Sequence, residues 1–79
     1  MEFKKGDIVK FKGSNTRIHY RVIDSTITLA HSKIDHCIAE HIRIEVVGDV
    51  PVKHLEHVME GEKGIFATDH KLKLGNQNQ

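Results

Sequence analysis

The residues able to do chemistry in this 79-residue chain are its seven histidines and its single cysteine, Cys37. The histidines are His19, His31, His36, His41, His54, His57 and His70. His54-x-x-His57 with Cys37, His36 or His41 would offer nitrogen and sulfur ligands to zinc. Finger spacings and CxxC are absent, so the histidines form no closed ligand set and read as scattered surface imidazoles. No metal or cofactor is expected. Imidazole titrates near about 6.5, so several histidines charging together would instead give a proton-responsive surface. Cys37 adjoins His36, and His41 lies four residues on. A catalytic thiol needs a facing base and oxyanion donors, which adjacency does not supply. Cys37 therefore reads as a small, half-buried apolar residue. GxGxxG, Walker, HExxH and GxSxG motifs are missing. A chain this short has little scaffold for a water-excluding pocket. The expectation is a protein that is not an enzyme, takes no small-molecule substrate and acts by contact.

Charge suggests two contact surfaces. Residues 1–23 hold six bases against two acids, residues 24–62 three against eight, and residues 63–79 three against one. The net charge of +1 thus hides +4, −5 and +2 in order. Lys10, Lys12, Arg17 and Arg21 form a candidate nucleic-acid stripe with Tyr20 or Phe3 for base stacking. The plainer reading makes Lys10 and Lys12 the solvent face of an edge strand. The acidic middle, including Asp35, Glu40, Glu45, Asp49 and Glu56, would suit a basic protein partner. Glu40, His41 and Glu45 are the candidate protein-interface residues.

These groups must be positioned mostly by strands. Residues 7–12 alternate, with Val9 and Phe11 on one face and Lys10 and Lys12 on the other. Gly13-Ser14-Asn15 marks a turn. Ile18, Tyr20 and Val22 alternate with His19, Arg21 and Ile23, and Ile27 is in phase with Leu29. Ile42, Ile44 and Val46 are expected inward, with a turn at Gly48-Asp49 and a short extended Val50-Pro51-Val52. Pro51 suits an edge or a strand start. Residues 32–40 fit a short helix or a strand equally. Ile34, Ile38 and Ile42 are four apart, and Ser32 with Asp35 resembles a capping box. Ile65-Phe66-Ala67 and Lys71-Leu72-Lys73-Leu74 suggest a hairpin within 64–74, with 75–79 frayed. Short strands at this spacing favour a small closed barrel, which removes sheet edges.

Gly6, Asp7, Val9, Phe11, Tyr20 and Val22 match the G-D-x-V-x-F, loop, aromatic-x-V opening of small SH3-like β-barrels. The chain resembles the KOW, Tudor-like and phage- or mobile-element-borne versions of that family over residues 3–59. The resemblance implies a mainly β barrel over 1–60 with one short helical or 3₁₀ element, and 61–79 as a C-terminal extension. It further implies that Leu55 follows a 3₁₀ turn and plugs the barrel, and that Val58 opens the closing strand. Residues 31–41 stand as an insertion to the pattern. The aromatic grooves and cages of peptide and methyl-lysine readers are missing, because Tyr20 alone makes no cage. The leading functional expectation is a protein-binding module of the kind that phage proteins use to modulate or inhibit a host factor. The alternative is KOW/Tudor-like nucleic-acid binding through the basic first hairpin. A lone cysteine, an N-terminus without an apolar h-region and no apolar run near ~20 residues suggest a reducing cytoplasm and no membrane.

Overall fold

Alternation of apolar and polar residues builds six strands in the computed structural model, which describes residues 2–14 and 16–69. They are β1 (Ile8–Phe11), β2 (Ile18–His31), β3 (Ile38–Ile44), β4 (Gly48–Pro51), β5 (Leu55–His57) and β6 (Ile65–Phe66). The first five form an antiparallel sheet in the order β4-β3-β2-β1-β5. Residues directly opposite on neighbouring strands share a face. Val9 meets Tyr20, Val22 meets Ile44, and Ile42 meets Val50. That face, with Phe3 and Leu55, is the buried core. Ile8, Lys10, His19 and Arg21 fall on the other face.

The sheet is not closed. β4 and β5 end the strand order, and no ladder joins them. A single 3₁₀ turn, Val52–His54, links the two strands. Three residues redirect the chain onto β1 instead of back along β4. They also place Leu55, 1 % exposed, in the core. The strand expected to close the barrel and to open at Val58 is β5, which starts at Leu55; the Val58 N–H ends its pairing on Ile8 O at 3.0 Å. Pro51 is the last residue of edge strand β4, where its missing N–H costs no ladder bond.

Several local expectations change. The alternating residues 18–23 and the in-phase pair Ile27 and Leu29 belong to one continuous strand, bent by register shifts between Val22 and Asp24 and between Asp24 and Thr28. Residues 32–37 turn the chain, and strand resumes at Ile38. The Ser32 hydroxyl accepts from the Ile34 and Asp35 N–H groups at 3.1 and 3.4 Å, and His36 N–H donates to Ser32 O at 2.9 Å. The capping pattern thus makes one turn of helix-like chain, and β3 pairing then wins. Cys37 is exposed, not half-buried. The next turn falls at residues 45–47 rather than at Gly48-Asp49. Val47 N–H donates to Glu45 O at 2.8 Å across Val46, whose φ is +71°. Val46 is consequently exposed rather than inward.

The C-terminal segment docks on β2. Ile65 and Phe66 pair in parallel with Ile18 and His19. β3 ends at Ile44 and leaves the start of β2 open on that edge. The Arg21 and Arg17 carbonyls, an even number apart, point to the same edge. Glu45 N–H takes the first at 2.9 Å, and Ile65 N–H takes the second at 2.7 Å. Residues 67–69 then begin a helical turn, and Ala67 is buried. The partner stretch 71–74 and the tail 75–79 lie outside the described residues.

Candidate protein-interaction surface

β1 has four residues and β2 has fourteen. The far half of β2 therefore overruns β1 and keeps only β3 as a neighbour among the described residues. The result is a two-stranded arm in which Thr28 to His31 pair with His41 to Ile38. Ile27, Leu29 and Ile38 lie on one face of it, 50, 70 and 66 % exposed. Glu40, opposite Leu29, sits among them. A cleft of about 400 Å³ separates this face from the core, lined by Phe3, Ile27, Glu40, Ile42 and Val52 among others. A second hollow of about 370 Å³ adjoins it at Ile38, Ala39 and Lys53.

The arm is tied at its tip. The Lys53 ammonium donates to the Asp35 carboxylate, Cys37 N–H donates to it at 3.2 Å, and His54 Nε2 lies 3.6 Å away. Lys53, then Cys37 N–H, hold the Asp35 carboxyl far below the usual carboxylate range. Asp35 in turn raises the Lys53 ammonium.

The predicted interface residues do not form one patch. Glu40 is exposed on the apolar face. His41, one residue on, points to the opposite face beside Pro51 and is buried, with Nδ1 donating to Ala39 O at 2.8 Å. Glu45 is half-buried in the next turn and accepts from Arg21 at 3.4 Å. Sequence reasoning missed Ile27, Leu29 and Ile38 as surface residues. Their in-phase spacing is also that of a core face, and only the unequal strand lengths expose them.

The basic stripe is partly neutralised. Lys10 donates to Glu62, which holds that carboxyl low and the ammonium high. Arg21 pairs with Glu45 and lies 4.0 Å above the Phe66 ring. Lys12 and Arg17 are exposed. Tyr20 is half-buried on the inner side, edge-on to Phe11 at 5.3 Å, and burial pushes its phenol up. Phe3 is in the core, 4.5 Å from the His57 ring. The expected stacking groups thus occupy the face away from Lys10 and Arg21.

Among the described residues three histidines face carboxylates. His57 Nε2 is 3.1 Å from Asp7, and His54 reaches Asp35. His19 is buried edge-on to Phe66, with Nε2 4.0 Å from Glu62 and no hydrogen-bond partner among the described residues. His54 and His57 therefore turn to different carboxylates. Among the described residues no group of three or more His, Cys, Asp or Glu side chains is placed to hold a metal. No helix among them is long and apolar enough to cross a membrane. Comparisons with protein-family models, with curated proteins and with solved structures return no match.

Proposed function

We propose that this chain is a small SH3-like domain working as a non-enzymatic protein-interaction module, which binds through the apolar face of the β2–β3 arm. The family reading is supported by the 3₁₀ turn that delivers Leu55 to the core, as the resemblance implies. One observation carries the function: Ile27, Leu29 and Ile38 stand exposed together around Glu40, above a cleft that opens onto the core. Contiguous apolar surface of this kind marks contact sites. The nucleic-acid reading draws less support, because Lys10 and Arg21 are engaged by Glu62 and Glu45 and Tyr20 lies on the other face. An exposed free thiol at Cys37 suits a reducing compartment.

Affinity capture with the full chain tests the proposal. Wild type retains a stoichiometric protein partner, Ile38→Asp loses it, and the paired substitution Lys12→Glu/Arg17→Glu keeps it. Ile38 is exposed, so its replacement leaves the fold intact by circular dichroism. Capture of nucleic acid alone would sink the reading. Such binding would weaken with salt by about 0.9 log unit per log unit for each phosphate contact.

A further inference from the structure

Among the described residues the arm has an open backbone edge as well as an apolar face. β2 is paired to β1 at Tyr20 and Arg21, and Val22 adds bonds to Gly6 and Asp7. Beyond Val22, no described residue pairs with that edge. Open edges invite further strands and are usually blunted by brevity, charge or proline. The two end strands of this sheet follow the rule: β4 carries Pro51, and β5 is three residues long with Glu56 at its centre. The arm edge does not. From Ser25 to Ser32 the sequence is S-T-I-T-L-A-H-S, without one Asp, Glu, Lys, Arg or Pro.

Resting on the reading of the arm as a contact surface, we propose that its occupant is a second copy of this chain, paired antiparallel along the β2 edge about Leu29. The edge is self-complementary. With Leu29 opposite Leu29, Thr28 meets Ala30 and Ile27 meets His31 across the two-fold axis. All these residues are uncharged when histidine is neutral, so the copies meet without repulsion. The apolar faces of both arms then join into one surface around the paired leucines. Each Glu40 flanks its own Leu29. The two Glu40 carboxylates lie three strand spacings apart, about 14 Å. That exceeds the Debye length of about 8 Å at physiological salt. A net charge of +1 adds little repulsion between whole molecules. A partner chosen by charge has nothing to read on this edge.

Sedimentation equilibrium of the full chain tests the proposal. A reversible dimer is expected, and Leu29→Lys, at a 70 % exposed site, weakens it about fivefold by setting like charges face to face. In a Cys37→Ser background, Leu29→Cys oxidises to a covalent dimer and Lys12→Cys does not. Within residues 26–31 the alternate amides that point away from β3 gain hydrogen-exchange protection as concentration rises. A monomer at all concentrations, a dimer indifferent to Leu29→Lys, or protection independent of concentration would each overturn it. A monomer whose Ile38→Asp variant still loses a different captured protein refutes the self-pairing alone. Loss of nothing by Ile38→Asp refutes the function proposed above.

Discussion

At the scale of single residues, Gly64 controls how the C-terminal segment sits. A Cβ there would lie 2.4 Å from the His19 ring and 2.6 Å from Arg17 O. Its φ lies outside the left-handed region, so the requirement is space and not backbone freedom. The Arg17 carbonyl is held by Ile65 N–H and cannot retreat freely. Gly64→Ala should therefore cost about 1–3 kcal/mol, the usual range for overpacking. Thermal melting gives the loss, and hydrogen exchange should show the Ile65 amide opening first. Adding His19→Ala should recover part of it, because one of the two clashes is gone.

At the scale of elements, the 3₁₀ turn joins the two ends of the sheet. Its position makes Leu55 both the first residue of β5 after the connection and a member of the core cluster with Val9, Val22, Ile42, Ile44 and Val50. Leu55→Ala should cost about 2–5 kcal/mol through lost burial and the cavity left behind. At roughly 0.05–0.15 kcal/mol per residue, the whole chain has about 4–12 kcal/mol. A urea melt should show this loss as a lower midpoint at unchanged slope. By contrast, Leu29→Ala on the exposed arm should leave the monomer's stability within about 0.5 kcal/mol. That contrast separates the core from the arm, although both leucines sit in strands of the same sheet.

At the scale of the whole molecule, the +4, −5, +2 order of charges folds back on itself. Lys10 and Arg21 of the basic first segment meet Glu62 and Glu45 of the acidic middle. Four carboxylates are held below their ordinary range. The main causes are the Lys4 N–H for Asp7, the Thr26 N–H for Asp24, Lys53 for Asp35 and Lys10 for Glu62. A depressed carboxylate means that the unfolded chain binds more protons in acid. Its stabilisation is full above the unfolded value near ~4 and is lost as pH falls through the folded value. The melting temperature should fall progressively below about pH 4. The Asp35–Lys53 and Glu62–Lys10 pairs are partly exposed, so added salt should shrink their share of the effect. A melting temperature flat from pH 5 to pH 2 would contradict this account.

The amino-acid sequence by itself determined the strand faces wherever apolar alternation met a core. Val9, Val22, Ile42 and Ile44 were legible because period two and turn residues are local properties, whereas Leu55 was expected in the core only through the family resemblance. The acidic and basic segments were legible by counting. The tertiary structure alone decided which in-phase apolar residues are core and which are surface. Ile27, Leu29 and Ile38 follow the same pattern as Val22 and Ile44, yet β1 is too short to cover them. It also decided that Glu40 and His41 part to opposite faces, that Lys10 is neutralised by a residue 52 positions away, and that β6 pairs with β2. Those outcomes depend on strand length, register and long-range pairing, which no local window of sequence contains.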